Sequence, residues 1–283
     1  MEPDMISQEV SKEIPDLLYH YTNSAGLSGI LNSGKIWTTE IHYLNDKSEI
    51  QLAFKYIRNE IESQKKGTGK TRTDEELDIM SESLSIAEEI NVSIASFTEN
   101  GDQLSQWRGY SEIGNGYSLG FYGKELLKKV TKDKNYHLVP CIYDERIHLS
   151  MVKELVDLTP VLDIKSDPSY SHSLVFRSTF GDAALSLAAV IKSEGFKEEK
   201  EWRLIGPTLL YSSARFRYGN HTLIPYWEYD VDINNTLESI IIGPTPEPEL
   251  SERAISGLLV NIFPNNRRLW SSIKHSNIPF RKI

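Results

Sequence analysis

The run Phe196-Lys197-Glu198-Glu199-Lys200-Glu201-Trp202-Arg203-Leu204 leads a cluster of carboxylates straight into a strand pattern. Alternation along a strand puts Glu199 and Glu201 on one face and Lys200 on the other. Two carboxylates that share a face repel, which raises the pKa of one of them. One could then orient a ribose hydroxyl and stabilise an oxocarbenium-like centre, while the other handles a proton. The plainer reading is a solvated, charged strand entry.

Three further motifs carry groups that chemistry can use. Leu18-Tyr19-His20-Tyr21-Thr22 sets a histidine between two tyrosines, which places an imidazole at the edge of an aromatic pocket or simply in a satisfied structural position. Ser93-Ile94-Ala95-Ser96-Phe97-Thr98-Glu99 puts Ser96 and Thr98 on one strand face, opposite Phe97. Downstream, Trp107 in Ser105-Gln106-Trp107-Arg108-Gly109-Tyr110 could stack on a flat ring and Arg108 could meet a pyrophosphate. The alternative there is a core tryptophan and an exposed helix charge. Tyr43-Leu44-Asn45-Asp46-Lys47-Ser48-Glu49 reads first as a helix N-cap and second as a loop touching a ligand.

The elements that must position these groups follow from periodicity. Leu17 to Thr22 reads as a strand, and Ser24 can cap a helix whose Leu27, Ile30 and Leu31 share a face before Gly34 ends it. A helix from about Lys47 to Lys65 and a second one, opened by a Thr73/Glu76 capping box and running to about Glu89, form a hairpin. The Gly67-Thr68-Gly69-Lys70 stretch between them lacks the glycine spacing of a phosphate-binding loop. Strands are expected at Val92–Phe97, Tyr117–Phe121 and Leu138–Tyr143, and a short helix at Gln103–Tyr110. Leu174 to Glu194 reads as one long helix with Phe176, Phe180, Ala183, Ala184, Leu187, Ala188 and Ile191 on its apolar face. After Gly195 the pattern turns to β, with strands near Glu201–Ile205, Arg215–Tyr218, Thr222–Trp227 and Leu237–Ile242, then a helix from Glu249 to Asn261. Strands and helices do not alternate strictly, which favours α+β over a doubly wound sheet. One domain over 1–283 is expected, with a helical insertion at about 47–90.

Composition narrows the classes. A hydrophobic content of 39% and a charged content of 25% are those of an ordinary globular chain. The single Cys141 excludes an intrachain disulfide and a Cys-rich zinc site, and fits a reducing, cytoplasmic compartment. The seven histidines are scattered without a metal-ligand spacing, so no metal is expected. No apolar run reaches the length of a membrane span, and the acidic N-terminus has no secretory h-region. A formal charge of −9 argues against non-specific nucleic-acid binding over the whole surface. It leaves room for a local basic groove around Arg108, Arg203, Arg215, Arg217 or the C-terminal Arg267, Arg268, Lys274, Arg281 and Lys282.

Taken together, His20-Tyr21-Thr22 with its Gly-Leu…Ile-Leu…Ser-Gly helix, Asn45-Asp46, Ser105–Tyr110, Tyr143-Asp144-Glu145, Glu199–Arg203, Gly243-Pro244 and Ser276–Arg281 resemble the ADP-ribosyltransferase superfamily. The likeness is closest to the DNA-modifying toxins of bacterial toxin–antitoxin systems, and it extends to a bacterial family of formerly unknown function placed in that superfamily. The resemblance implies a split antiparallel β-sandwich that clasps NAD, with a helical hairpin inserted. It assigns Glu201 first and Glu199 second as the glutamate that promotes glycosidic cleavage. It puts His20, Tyr21, Thr22, Ser96, Trp107 and Arg108 around NAD. It also implies a toxin or anti-phage effector that modifies RNA or DNA, or alternatively a protein, with an antitoxin or chaperone as a possible partner. An NAD glycohydrolase and an inactive NAD-binding module use the same residues and stay open.

Overall fold

The structure is a computed structural model that describes residues 12–44, 47–67, 70–111, 114–159, 172–208, 210–219 and 221–279; side chains 47–49 and 172–179 are outside the description. The Asn45-Asp46 cap, the Phe176 side chain, Arg281 and Lys282 therefore lie outside the described residues. The described residues form a mixed α+β structure around one ten-stranded, mostly antiparallel sheet.

The central strand is β3 (Val92–Thr98), and the sheet forks there. One edge of β3 is paired along nearly its whole length by β6 (Glu201–Thr208), which carries β5 (His137–Pro140) on its far side. The other edge is shared by two strands. β1 (Leu17–Asn23) joins it only at Tyr19↔Thr98, and β2 (Lys35–Glu40) only at Thr39↔Ile94 and Glu40↔Ser93. Between those contacts the edge of β3 at Ala95 to Phe97 has no strand partner. From β1 one arm runs through β4 (Gly116–Tyr122) and β9 (Leu237–Ile242) to β10 (Ile273–His275), the last pair being parallel. From β2 the other arm runs through β8 (Leu223–Asp230) to β7 (Arg215–Tyr218).

Apolar residues alternate along β3, so this strand feeds two different cores, Ala95 and Phe97 entering one and Val92 and Ile94 the other. On one side Leu18, Phe121, Leu204 and Ile240 pack with α1 (Ser24–Ser33), α5 (Gly123–Lys132) and α9 (Pro248–Ile262). On the other side Ile94 and Ile41 meet α2 (Lys47–Lys66), α3 (Asp74–Ala87), α6 (Glu145–Leu158) and α7 (His172–Val190), through Phe54, Leu77, Val152 and Phe180 among others. The hairpin expected at 47–90 thus shares one core with two later helices. A third, small cluster of Tyr21, Trp107 and Ile241 sits beside α4 (Leu104–Tyr110). The remaining short helices are α8 (Ile233–Thr236) and α10 (Arg267–Trp270).

Most helix ends follow their sequence signals. Thr73 and Glu76 form the reciprocal capping box, and Gly34 closes α1 in the left-handed conformation at φ 70°. Two expectations are corrected. The cap of α1 is Asn23, whose side-chain oxygen accepts from the Gly26 amide at 3.0 Å, so Ser24 is already the first helical residue. The long helix stops at Val190 rather than Glu194. Ile191 leaves it to form a parallel bridge with Ile142, and the Lys192 amide donates to the Ile142 carbonyl at 2.9 Å. A sheet-like pairing has outcompeted the last helical turn.

The 3₁₀ turn after β2 is tied down by His42. One ring nitrogen faces the Glu40 carboxylate and the other the Glu88 carbonyl at 2.8 Å, and two acceptors require an imidazolium. The Glu40 bond raises the His42 pKa, with burial acting against it. A raised folded-state pKa contributes stability that is fully present below the ordinary histidine value and is lost as pH rises through the folded value. Thermal melts from mildly acidic to mildly alkaline pH should therefore show a loss of stability on the alkaline side. That loss should be absent in His42→Gln; an unchanged pH profile in the variant would rule out His42 as its source.

Candidate active site

At the fork the carbonyl of Ser96 would be left without a strand partner. His20, on the neighbouring β1, supplies one: its Nδ1 donates to that carbonyl at 2.9 Å. Because a carbonyl can only accept, Nδ1 carries a proton, and in a neutral ring Nε2 is then a bare acceptor. Burial holds the His20 pKa below its ordinary value against the effect of the Ser96 bond, and the nearby Arg217 charge lowers it further. No protein group among the described residues meets Nε2. The Ser96 hydroxyl likewise makes no hydrogen bond among the described residues.

A cavity of about 60 Å³ opens at this point. It is lined by Tyr19, His20 and Tyr21 of β1, Ser96, Phe97 and Thr98 of β3, Gln106 and Tyr110 of α4, and the two glutamates Glu199 and Glu201. The fork thus gathers His20, Tyr21, Ser96, Glu199 and Glu201 from three separate parts of the chain.

The two glutamates do not converge in the way strand alternation implied. Glu199 is the last residue of a 3₁₀ turn (Glu194–Glu199), Lys200 takes a left-handed conformation at φ 43°, and the strand starts only at Glu201. The backbone on either side is held. The Thr98 hydroxyl donates to the Glu199 carbonyl at 2.6 Å, the Glu201 amide donates to the Tyr143 hydroxyl at 2.8 Å, and the Cys141 amide donates to the Glu201 carbonyl at 2.8 Å. A non-glycine residue at positive φ costs free energy that surrounding contacts must offset, and these bonds do so.

Between the carboxylates sits Lys192, only 2% exposed. Its ammonium is 2.6 Å from Glu199 and 2.6 Å from Glu201. Arg203 grips Glu201 from the other side, with Nε donating to one oxygen at 2.9 Å and Nη2 to the other at 3.1 Å. Its Nη1 also donates to the Ala189 carbonyl in the last turn of α7 at 2.9 Å. Two negative and two positive groups therefore share one buried cluster, which is how a protein tolerates charge out of water.

The two carboxylates are not equivalent. Burial opposes the charge on Glu201, but Arg203 and Lys192 outweigh it and hold the carboxyl down to about 2. Every oxygen of Glu201 is already engaged by a cation. Glu199 has only Lys192, on one oxygen, and the Tyr110 hydroxyl at 3.2 Å from both. Burial raises its pKa above the ordinary glutamate value, partly offset by Lys192. Glu199, held by one cation and a phenol, thus keeps more unused acceptor capacity at the cavity wall than Glu201, which two cations grip.

Three residues expected around the ligand are placed elsewhere. Trp107 is 4% exposed and packs edge-on against Tyr21 at 4.6 Å, with Gly243 so close that a Cβ there would lie 2.8 Å from the indole. Its Nε1 donates to Asp102 at 2.8 Å. It belongs to the small buried cluster with Tyr21 and Ile241 and does not line the cavity. Arg108 is exposed on the outer side of α4 and is not among the cavity residues. Thr22 packs under the first turn of α1, where its hydroxyl occupies the space a Cβ on Gly26 would need. Asp102 explains why distant motifs meet: it also accepts from the Ser276 hydroxyl at 2.6 Å and the Asn277 amide at 2.7 Å, pinning the C-terminal segment to α4. The Tyr21 hydroxyl holds the loop before α4, donating to the Asn100 carbonyl at 2.9 Å and accepting from the Gln103 amide at 3.0 Å.

The basic groove weighed from the sequence is largely spent on internal contacts. Arg203 is buried, Arg215 pairs with Glu228 at 3.1 Å, Lys274 with Glu238 at 3.1 Å, and Arg268 binds backbone carbonyls. Arg108 is exposed on α4.

Residues 106–204 match the model of a family described as a protein of unknown function, DUF2971. The matched stretch is a little over a third of the chain. It begins at Gln106 of the cavity wall and includes Tyr110, Lys192, Glu199, Glu201 and Arg203, but not β1 with His20. No curated protein and no solved structure matches the chain. Among the described residues no group of three or more His, Cys, Asp or Glu could hold a metal ion, and no helix is long and apolar enough to cross a membrane.

Proposed function

We propose that the protein is an NAD-dependent ADP-ribosyltransferase whose reaction centre is the cavity at the fork of the sheet. The observation that carries this reading is the convergence of a neutral histidine, a serine hydroxyl and an unsaturated glutamate on one buried cavity, with a balanced charge cluster behind them. The forked sheet also supports it, since two arms diverging from one strand are what a split β-sandwich requires.

In this reading Glu199 accepts a hydrogen bond from a hydroxyl of the nicotinamide ribose and stabilises positive charge at C1′. The C1′–N bond breaks, the electron pair leaves with nicotinamide, and a nucleophile of the acceptor then bonds to C1′ and loses its proton. Glu201, gripped by two cations, keeps Lys192 in place and, through it, the charge on Glu199. His20 offers its bare Nε2 to a donor on the nucleotide, and Ser96 offers a hydroxyl. A dry, preorganised site makes such contacts worth more than they are in water.

The fit sets one condition. Ligand pockets usually measure ~300–1,000 Å³, well above this cavity of about 60 Å³. Tyr110, at the C-terminal end of α4 and bonded to Glu199 through its hydroxyl, must swing aside on binding, so that the substrate hydroxyl replaces the phenol on the same carboxylate.

The acceptor is proposed to be a nucleic acid, with a protein as the alternative, and the cell context a toxin or anti-phage effector in the cytoplasm held in check by an antitoxin or chaperone. The test is incubation with NAD labelled on the adenylate, alone and with RNA, DNA and protein fractions. Label entering one fraction would name the acceptor class. Nicotinamide release with no labelled macromolecule would make the enzyme a glycohydrolase. Intact NAD in every mixture would end the catalytic reading.

A further inference from the structure

The β7–β8 hairpin ends one arm of the sheet. β7 pairs with β8 alone, and its outer edge has no strand partner among the described residues. The Gly219 amide donates to the Thr222 carbonyl at 2.9 Å and closes the hairpin. Hydrogen-bonded pairs recur at every second residue of an antiparallel ladder, so the next ones are Arg217↔Ile224 and Arg215↔Tyr226. Between them Phe216 stands opposite Pro225, which has no N–H to give. Phe216 and Tyr218 therefore turn both their N–H and their C=O away from β8, and nothing among the described residues claims them. Unpaired edge groups of this kind are a template for another strand.

The side chains of this edge sort by face. Phe216 is 55% exposed and Tyr218 93%, and they share one face with the exposed Leu223, which stands opposite Tyr218. Arg215 and Arg217 share the other face. There Glu228 is met by two cations, Arg215 at 3.1 Å and Lys35 at 3.3 Å. Arg217 donates to the Thr39 hydroxyl and pairs with no carboxylate among the described residues. One face thus has apolar surface uncovered, and the other has positive charge in excess. We propose that the β7 edge docks an extended segment of a partner protein in which acidic residues alternate with apolar ones. The segment adds a strand to the sheet. Its backbone exchanges hydrogen bonds with Phe216 and Tyr218, its apolar side chains cover the two rings, and its carboxylates face the arginines. A second copy of this chain fits poorly. An antiparallel register that pairs both outward residues of each copy sets the two copies' Arg217 directly opposite, and like charges so placed destabilise a sheet. The inference stands on this edge alone and does not depend on ADP-ribosyl transfer.

Selection of short random peptides on the immobilised whole protein tests it. Peptides that alternate Asp or Glu with apolar residues are expected to be enriched, and calorimetric titration with one of them gives its affinity. Tyr218→Pro removes one outward N–H at an exposed residue and leaves the bonds to β8 in place. It should weaken that peptide about tenfold, the equivalent of a lost backbone hydrogen bond. Arg215→Ser, also at an exposed side chain, should weaken it severalfold at low salt and serves if the first variant does not fold. No enriched peptide, enrichment of peptides without that alternation, or unchanged affinity in either folded variant would overturn the proposal. So would slow hydrogen exchange at the Phe216 and Tyr218 amides of the free monomer, which would mean that another segment of this chain already takes the edge. A dimer that Tyr218→Pro dissociates would overturn it in favour of a second copy.

Discussion

Glu201→Gln is expected to destabilise the protein by about 3–5 kcal/mol, because it removes one partner of a buried ion cluster and strands the other charges. Lys192 and Arg203 are both buried, and both direct their charge at Glu201. With a neutral amide there, Lys192 and Arg203 both lose the carboxylate they share. The shift in melting temperature should be roughly 10 °C for a domain of this size. Loss of NAD turnover in this variant would therefore not by itself identify Glu201 as the reacting carboxylate. Restoring neutrality is the control: Glu201→Gln combined with Lys192→Met should recover part of the lost stability. If Glu201→Gln melts like the wild type, the charge cluster is not holding the strand entry, and the division of labour between the two glutamates is wrong.

Glu199→Gln is expected to do the opposite. Burial already penalises the charge on Glu199, so a neutral isostere should cost no more than about 1 kcal/mol of stability. Turnover of NAD should fall by about 10²–10³, the usual loss when one electrostatic stabiliser of a transition state is removed. The same residue fixes the acid limb of activity. Its pKa is raised, so turnover should disappear as pH falls through a value above that of an ordinary glutamate. Glu201, held at about 2, stays ionised over that range and contributes nothing to the limb. An acid limb at or below the ordinary glutamate value would transfer the catalytic role away from Glu199. Melting curves of the two variants, measured beside their rates, separate the residue that does chemistry from the one that holds it in place.

Much of this architecture can be read from the chain because local signals agree with tertiary ones. Strand alternation around His20, Ser96 and Trp202 marks which side chains share a face, and the capping box and terminal glycine mark helix ends. Lys192 could not be read. It lies inside what periodicity extends as a helix to Glu194, and only the Ile142–Ile191 bridge, a long-range contact, ends that helix early and turns the lysine inward. The same limit applies to Trp107. An aromatic residue on an amphipathic helix looks alike whether it faces a ligand or a core, and here Asp102, Gly243 and Tyr21 decide for the core. The glutamate pair shows a third kind of limit. Proximity of Glu199 and Glu201 was legible, but the left-handed Lys200 between them and the lysine that neutralises them were not. The fork in the sheet is equally silent in sequence, since it depends on how two strands divide one edge of a third.

The most direct test of the central claim is nicotinamide release from NAD by the wild-type protein and by Glu199→Gln, measured side by side with and without cell extract as acceptor. The account predicts release by the wild type and a loss of about 10²–10³ in the folded variant. Equal rates in the two proteins, or no release by the wild type under any of these conditions, would contradict it.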